Sequence, residues 1–406
     1  MLNFSCVYNS TNILKSEGKS HPFAVQKKYV NLSISVKVQI FFEKFWEMKK
    51  KLLGLTPGEL KEICLEEGLP AFTAKQICQW LYRKRAVSFS AMTNLSLKAR
   101  ELLESKYEIG AVPFSKFAQS KDGTKKYLFD IAEKEEGFPG NFIEAVMIPD
   151  EDRKTLCVSS QAGCRMGCRF CMTGRQGFHG NLDAARILSQ FFYIEEAEEL
   201  TNAVFMGMGE PLDNLDNVLR AIEVLTADWG CGWSPKRITL SSIGINRIVG
   251  SNAQGKKSPL ERFLDECKAH LAISLHNPFH PERLQIMPSE AAFPIEETLK
   301  IIRRYDFTGQ RRVSFEYIMF KGLNDTPRHA KALASMLKGL ECRVNLIRFH
   351  DIGDTEFLPS PMKAITAFQD ILQKAGITAT LRASRGQDIE AACGMLSGKE
   401  SGFVKE

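Results

Sequence analysis

Three cysteines lie close together in a glycine-rich stretch near the middle of the chain. Cys164, Cys168 and Cys171 have the spacing C-x3-C-x2-C within SQAGCRMGCRFCMTGRQGF. Thiolates at this spacing suit an iron–sulfur cubane, and three of them leave one of its irons without a protein ligand. An open iron is able to bind the amino and carboxylate groups of S-adenosylmethionine and to pass an electron to its sulfonium. The spacing therefore predicts a 4Fe-4S cluster used for radical chemistry.

A structural zinc ion is the alternative occupant of this loop, with His179 as its fourth ligand. Structural zinc sites usually contain paired C-x2-C knuckles, and the sequence has no second knuckle. The spacing and the strand that precedes it favour iron–sulfur over zinc.

Glycines, an acid and small polar residues follow several predicted strands downstream of the cysteines. Glycine lets the backbone approach a ligand closely, and Glu210 is able to accept a hydrogen bond from an amino group or a ribose hydroxyl. Barrel enzymes place their sites at such strand ends. The predicted cofactor-binding residues are Gly209, Glu210, Ser241, Ser274, Leu275, His276 and Asn345.

An alternation of short apolar strands and longer helical segments begins at about residue 142 and positions these residues. Nearly continuous Val, Ile, Leu and Phe in the strands indicates burial on both faces, as in a parallel sheet. Six such strand–helix units predict an α/β fold, a partial TIM-like (β/α)6 barrel over residues 141–400. The predicted strands are 155–160, 202–208, 237–242, 271–275, 312–320 and 342–349.

The segment 48–140 predicts a small accessory domain of helices followed by a β-hairpin. Helical stretches include residues 74–82 and the segment after Asn94 and Ser96, which are capping candidates. The hairpin is predicted from KFAQSKDGTKKYLFDI, in which Asp122-Gly123 supplies the tight turn. We place the end of this domain in the Gly137–Gly140 region.

Residues 1–47 do not resemble the rest of the chain. Apolar residues alternate strictly from Val30 to Ile40, which is typical of a half-buried strand. We nevertheless expect this segment to be a dispensable extension, with Met48 as the start of the functional protein. The competing interpretation is a true strand at the edge of the N-terminal sheet.

Composition bounds the cellular setting. The odd count of 11 cysteines argues against a complete disulfide framework, and the N-terminus lacks the features of an export signal. The most apolar early stretch, Val30–Trp46, contains three charged residues and is too short and too charged to cross a bilayer. The net charge of +6 is compatible with a polyanionic partner. We expect a monomeric cytoplasmic protein without a membrane partner.

The text from about Leu53 to Gly398 resembles the RlmN/Cfr family, radical S-adenosylmethionine enzymes that methylate adenosine in large-subunit (23S) ribosomal RNA. The RlmN members are the most similar. The resemblance implies two molecules of S-adenosylmethionine per turnover, a one-electron donor such as flavodoxin or ferredoxin, and transfer RNA as a further substrate. The matching blocks, in order, are IEAVMIPDEDRKTLCVSSQAGC, GMGEPLDN, ITLSSIG, ISLH, NLI and RGQDIEAACG.

The resemblance also implies roles for three residues outside the cluster motif. Cys393 would receive a methyl group and, after loss of a hydrogen atom, form a crosslink to carbon 2 of adenine. Cys157 would resolve the crosslink and form a disulfide with Cys393. Glu144 matches the family's proton acceptor, and a solvated carboxylate at a strand end is the alternative.

Departures from the family pattern leave the nucleotide open. Arg348 stands where proline is usual, Asn277 where alanine is usual and Gln387 where aspartate is usual. Methylation at carbon 8 of adenosine, or of another RNA, is therefore an alternative, as is a non-catalytic, zinc-containing RNA-binding protein. A radical enzyme that acts on a protein is a further rival, which does not need the Cys157/Cys393 pair.

Basic residues interleaved with aromatics in the accessory domain predict RNA contacts, since they suit phosphate neutralisation and base stacking. A solvated charged helix face is the alternative. The residues are Lys75, Arg83, Lys84, Arg85, Lys98 and Arg100 with Trp80 and Tyr82, and the hairpin lysines Lys121, Lys125 and Lys126.

Overall fold

The computed structural model describes residues 49–131, 142–248, 256–309, 311–353 and 355–397. The predicted extension 1–47, with its alternating stretch Val30–Ile40, lies outside the described residues, and so does the predicted boundary at Gly137–Gly140. The described residues from Lys51 onward belong to one compact unit, Lys51–Glu406. Within the described ranges, no helix has the length and apolar character needed to cross a membrane.

Several helices begin at a residue whose side chain caps the first turn. Thr56 and Glu59 form a capping box at the first helix, and the Ser96 hydroxyl accepts a hydrogen bond from the Ala99 N–H at the third. The helices are α1 (Pro57–Glu66), α2 (Thr73–Tyr82), α3 (Leu97–Lys106), α4 (Met172–Arg175), α5 (Ala184–Phe192), α6 (Leu215–Thr226), α7 (Pro259–Glu266), α8 (His280–Ile286), α9 (Ile295–Ile302), α10 (Pro327–Leu337) and α11 (Met362–Lys374).

The strands confirm the predicted α/β barrel. The main sheet has the order β14-β13-β12-β11-β10-β9-β6-β5-β4-β3, in which β6 and β9 to β14 run parallel. The strands are β1 (Lys50–Lys51), β2 (Tyr107–Glu108), β3 (Phe114–Gln119), β4 (Lys125–Asp130), β5 (Phe142–Asp150), β6 (Arg153–Cys157), β7 (Gln161–Gly163), β8 (Phe178–Asn181), β9 (Asn202–Phe205), β10 (Ile238–Ser242), β11 (His270–Ser274), β12 (Val313–Met319), β13 (Cys342–Arg348) and β14 (Thr378–Leu381).

The parallel part of the sheet contains one strand more than the sequence predicted. The six predicted strands correspond to β6 and β9 to β13, and β14 was missed. In β14 only Ala379 is buried, because the strand pairs with β13 alone at the end of the sheet. An edge strand of this kind lacks the apolar run by which its neighbours were identified.

The predicted hairpin forms, and it continues the barrel sheet. Strands β3 and β4 pair antiparallel, and the turn between them contains Gly123 at φ +85°. Strand β4 pairs antiparallel with β5, and β5 with β6. The hairpin is therefore joined through β5 to the first parallel strand, β6.

The core lies between the parallel strands and the helices that cover them. Leu240, Leu271, Ile273 and Phe315 are fully buried in the middle of the sheet. These four residues share one face of the sheet, and Ala272, on the opposite face, is also fully buried. Burial on both faces fixes the strand register. It brings the carboxyl ends of the strands, where the predicted site residues lie, to one end of the barrel.

Candidate active site

The loop with the three cysteines is shaped by tight backbone contacts. It follows β7, which pairs with β8, and the Cys164 N–H donates to the Gly177 carbonyl at 2.8 Å. Gly163 has φ +70°, and a Cβ there would lie 2.0 Å from that same carbonyl oxygen. No other residue fits at this position, so the start of the loop is fixed by glycine.

The three thiols line one cavity beneath the loop. Burial raises the pKa of Cys164 to about 12 and the pKa values of Cys168 and Cys171 above their usual range. Thiolates in such surroundings need a compensating positive charge, which the irons of a cluster supply when they are bound. The three cysteines therefore fit the predicted cluster. Among the described residues, no three His, Cys, Asp or Glu side chains are grouped to hold a single metal ion.

Five of the predicted cofactor-binding residues line this same cavity, at the ends of three adjacent strands. They are Gly209, Glu210, Ser241, Ser274 and His276. The lining does not include Leu275 or Asn345. Leu275 is fully buried, and its carbonyl accepts a hydrogen bond from Arg283 Nε at 2.8 Å.

Glu210 is held by the backbone on both of its carboxylate oxygens. Oε1 accepts from the Leu212 N–H at 3.0 Å and Oε2 from the Ile243 N–H at 2.9 Å. Burial outweighs these contacts and raises the pKa of Glu210 to about 7. A cationic amino group in the cavity would favour the ionised carboxylate.

His276 projects into the cavity from a left-handed backbone, with φ +57°. Its carbonyl accepts from Asn324 Nδ2 at 2.6 Å, and its Nδ1 accepts from the Ile318 N–H at 3.1 Å. Burial, assisted by the nearby Arg283, lowers the pKa of His276 to about 3. The neutral ring must therefore hold its proton on Nε2, which makes it a hydrogen-bond donor.

Two charged residues that the sequence analysis missed lie in the cavity wall. Glu316, in the apolar strand β12, is 3% exposed and accepts from Asn345 Nδ2 at 2.7 Å. Arg382, directly after β14, forms an ion pair with Glu316 at 3.3 Å. Asn345 is not part of the cavity lining, but its hydrogen bond helps to hold Glu316, which is. The one signal in the sequence was a glutamate within an otherwise apolar strand.

Cys157 and Cys393 are brought together at a second cavity, of about 420 Å³. Both line it, and Cys393 also lines the cavity beneath the cluster loop, as Arg382 does. Burial raises the pKa of Cys157 to about 12, the neighbouring Cys393 acts in the same direction, and the Arg382 guanidinium opposes them. Both thiols are free, and Cys393 is exposed.

Glu144 is not a solvated carboxylate at a strand end, so that alternative is wrong. It lies within β5, is fully buried and forms an ion pair with Lys126, whose Nζ is 3.2 Å from Oε1. Its Oε2 accepts from the Ser397 N–H at 2.8 Å. Glu144 is absent from the residues that line the two cavities. It binds instead the chain segment that follows Cys393.

The predicted RNA face is smaller than the sequence suggested. Tyr82 is 2% exposed, and its hydroxyl donates to the Leu55 carbonyl, so it is not available for base stacking. Arg83 donates to the Asp228 carbonyl and Arg85 to the Ala197 carbonyl. Lys126 is buried against Glu144. The lysines that remain exposed are Lys75, Lys84, Lys98 and Lys121.

Family comparisons agree with this arrangement. The sequence profile of the Radical SAM superfamily matches residues 158–333. The profile of the ribosomal RNA large subunit methyltransferase N-terminal domain matches residues 50–109. The first match contains the cysteine loop and the strands β9 to β12, and the second contains α1 to α3.

Individual relatives extend the similarity over most of the chain. A probable dual-specificity RNA methyltransferase RlmN of Porphyromonas gingivalis is 55% identical over 351 residues, which are 86% of this chain and 95% of that protein. The corresponding protein of Parabacteroides distasonis is 52% identical over 86% of this chain and 97% of its own length. The dual-specificity RNA methyltransferase RlmN of Syntrophus aciditrophicus is 41% identical over 84% of this chain and 94% of its own.

A solved structure shows the same fold. The crystal structure of a radical SAM methyltransferase from Sphaerobacter thermophilus superimposes with a TM-score of 0.75 at 36% identity, over 86% of this chain and 100% of that chain. These matches overturn the zinc-protein alternative, and the radical superfamily brings with it a 4Fe-4S cluster and S-adenosylmethionine. The chain belongs to the RlmN family of radical S-adenosylmethionine RNA methyltransferases.

Proposed function

We propose that this enzyme methylates carbon 2 of an adenosine in large-subunit ribosomal RNA and in transfer RNA, through a methyl group carried by Cys393. The observation that carries the proposal is the position of Cys393, whose side chain lines both cavities. A thiol at that junction is able to receive a group from one side and deliver it to the other. The dual-specificity name of the relatives supports the two RNA classes.

We assign the cavity beneath the cluster loop to S-adenosylmethionine. Cys164, Cys168 and Cys171 would hold a 4Fe-4S cluster, which supplies an electron to the sulfonium when it is bound. Glu210, with its carboxylate fixed by two backbone N–H groups, suits the amino group of the cofactor. His276 presents its Nε2–H as a donor.

Cys393 takes part twice in the proposed reaction. Its thiolate first attacks the methyl carbon of one S-adenosylmethionine and releases S-adenosylhomocysteine, and the Arg382 guanidinium lies in the same shared wall. The S-methyl group then loses a hydrogen atom to the 5′-deoxyadenosyl radical from a second molecule. The sulfur-bound carbon adds to carbon 2 of adenine, which is too weak a nucleophile for direct methylation.

Cys157 releases the product. Its sulfur faces the same cavity as Cys393, which suits attack on the Cys393 sulfur once the ring proton has left. The adduct would first give up its unpaired electron to the oxidised cluster that Cys164, Cys168 and Cys171 would hold, as the ring proton leaves. The attack of Cys157 then forms the disulfide, and the departing CH2 group takes a proton to become the methyl group of the product. Reduction of that disulfide by a cellular thiol restores both cysteines. The role of Glu144 as proton acceptor remains a prediction, because its observed contacts make it an anchor for the segment after Cys393.

The cavity of about 420 Å³ that Cys157 and Cys393 line is the proposed entrance for the target nucleotide. Arg153, Arg382 and Arg385 line it, and their positive charge suits the phosphates next to a target adenosine. The exposed lysines of the accessory part, Lys75, Lys84 and Lys98, would contact more distant phosphates.

The remaining assignments follow the same reasoning. We propose that residues 48–140 form the RNA-binding part, that residues 141–400 carry the chemistry, and that residues 1–47 are dispensable. The match of residues 50–109 to a methyltransferase N-terminal domain supports the first of these. A monomer in the cytoplasm that receives electrons from flavodoxin or ferredoxin fits an RNA substrate and free thiols.

Mass spectrometry of nucleosides from ribosomal and transfer RNA tests the proposal. Cells that lack the gene are complemented with the unaltered chain or with Cys393→Ala. We expect 2-methyladenosine in both RNA classes with the first and in neither with the second. A methyl group found at carbon 8 would contradict carbon 2 as the methylated atom. If Cys393→Ala still made 2-methyladenosine, the proposed role of the Cys393 thiol would be overturned.

A further inference from the structure

The chain segment that carries Cys393 is anchored on its downstream side by α4, which follows the cluster loop, and by β5. The Met172 N–H donates to the Gly394 carbonyl and the Thr173 hydroxyl to the Leu396 carbonyl, both at 2.7 Å. The Ser397 N–H donates to Glu144 at 2.8 Å. These contacts fix the chain directly after Cys393.

A second anchor lies upstream and comes from the turn of the β3–β4 hairpin, residues 120–124. The Asp122 carboxylate accepts from the Gly386 N–H at 2.9 Å. In return, the Asp388 carboxylate accepts from the Ser120 hydroxyl at 2.5 Å and from the Lys121 N–H at 3.2 Å. The hairpin turn and the segment Gly386–Asp388 therefore each contribute one carboxylate that accepts a hydrogen bond from a backbone N–H of the other.

Both carboxylates are ionised at neutral pH. Burial of Asp122 is outweighed by its hydrogen bonds from Gly386 and Thr124, which lower its pKa to about 2. The hydrogen bonds from Ser120 and Lys121 lower the pKa of Asp388. Hydrogen bonds to ionised acceptors are the stronger class.

The two surfaces also fit closely. Gly386 has φ +62°, and a Cβ there would lie 2.9 Å from both Thr124 Cγ2 and Ala391 Cβ. Thr124 is fully buried in the contact. The turn itself is rigid, because β4 pairs with β5 along its whole length.

Between the two anchors the chain adopts an unusual backbone. A short 3-10 turn, Gln387–Ile389, is followed by Glu390 at φ +54° and, after the exposed Cys393, by Gly394 at φ +86°. A left-handed glutamate is unfavourable on its own and persists where its surroundings enforce it.

We propose that the hairpin turn is a latch that positions Cys393, with Asp122 and Asp388 as its positioning residues. The latch holds the exposed thiol at the junction of the two cavities, where the methyl group must arrive and leave. The inference rests on the proposed role of Cys393 in methyl transfer. It gives the hairpin a part in catalysis that is separate from any contact with RNA.

Hydrogen–deuterium exchange of the full-length, cluster-loaded chain tests the latch without reference to activity. In Asp122→Ala and Asp388→Ala we expect amides of residues 386–394 to exchange roughly ten- to a hundredfold faster, the factor expected for loss of a charge-assisted hydrogen bond. Asp122→Asn and Asp388→Asn keep one of the two acceptor oxygens and should exchange at rates between those of the alanine variants and the unaltered chain. Asp370→Ala, at an exposed position on α11, is the matched control. Unchanged exchange in both alanine variants would overturn the latch.

Product ratios then show whether the latch positions the thiol. The alanine variants should keep the cluster absorption and still cleave S-adenosylmethionine, but form at least about tenfold more 5′-deoxyadenosine per methylated adenosine, since the methyl group is misplaced. An unchanged ratio together with faster exchange would contradict a positioning role. Should an aspartate variant fail to fold, Ser120→Ala removes the hydrogen bond that the hydroxyl donates to Asp388 and the one that it accepts from the Asp122 N–H, and leaves both carboxylates in place. A Cys393→Ala enzyme that still methylates RNA would refute the proposed function, whereas the exchange result would still report on the latch.

Discussion

The buried ion pair between Lys126 and Glu144 leads to a prediction that separates structural support from proton transfer. The two residues lie diagonally on one face of the adjacent strands β4 and β5, and neither is more than 2% exposed. Removal of one member takes from the other charge an ion-pair partner that lies 3.2 Å away, in a medium that solvates charge poorly. Such a change costs about 3–5 kcal/mol in the free energy of unfolding.

The perturbation is a double-mutant cycle. Lys126→Met and Glu144→Gln should each destabilise the cluster-free chain by about 3–5 kcal/mol. The double variant contains neither of the two charges, and the amide oxygen of the glutamine that replaces Glu144 would still accept the hydrogen bond from the Ser397 N–H. We therefore expect the free energy of unfolding of the double variant to fall by no more than about 1.5 kcal/mol. The coupling free energy should thus be at least about 4.5 kcal/mol. Urea unfolding followed by circular dichroism measures all four proteins, and Lys121→Met, at an exposed turn position, is the control.

Methyl transfer by the same variants decides what the carboxylate does. If Glu144 anchors the segment after Cys393, as its contact with Ser397 indicates, the double variant should recover methyl transfer to within about tenfold of the unaltered enzyme. A stable double variant without activity would contradict this reasoning and assign proton transfer to Glu144. A single-variant loss below about 1 kcal/mol would refute the buried ion pair itself.

Other predictions follow from the site. Cys157→Ala should accumulate enzyme covalently bound to RNA, visible as a shifted band on a denaturing gel, because the crosslink forms but is not resolved; free turnover would sink the two-cysteine mechanism. Since the pKa of Glu210 is raised from 4.5 to about 7, the folded state retains a proton that the unfolded state releases, so stability falls as pH rises through this window. Glu210→Gln should remove this pH-dependent loss of stability. Compared with the unaltered cluster-free chain, the variant should be equally stable below pH 4.5 and more stable by about 3 kcal/mol at pH 7. A stability difference that stays constant between pH 4 and 8 would contradict the raised pKa of Glu210. Truncation to Met48 should preserve thermal stability and methyl transfer, and a clear loss of either would show that residues 1–47 are needed.

The parts of this enzyme that the sequence predicts are those set by local pattern. Each of three predicted features depends on only a few neighbouring residues. Cys164, Cys168 and Cys171 line one cavity, the apolar strands form the parallel sheet, and the Asp122-Gly123 turn closes the hairpin. The strand-end residues were found for the same reason, since the end of a parallel strand is also the end of an apolar run.

Long-range pairing decided the features that sequence reasoning missed. Lys125 and Lys126 read alike as basic hairpin residues, yet successive residues of a strand face opposite sides. Lys125 therefore meets Glu195 and Glu196 in partial exposure, while Lys126 is buried against Glu144. Arg382 likewise gains its place in the cavity wall only through the pairing of β14 with β13. Nothing near it in the sequence marks that position.

The most direct test of the central claim follows the hydrogens of the transferred methyl group. The reduced enzyme is supplied with RNA and with S-adenosylmethionine that carries a trideuterated methyl group, and both products are analysed by mass spectrometry. A methyl group that passes through Cys393 and loses one hydrogen atom there should reach adenosine with two deuterium atoms, while 5′-deoxyadenosine gains one. A methylated adenosine that retains all three deuterium atoms would show direct displacement and contradict the account.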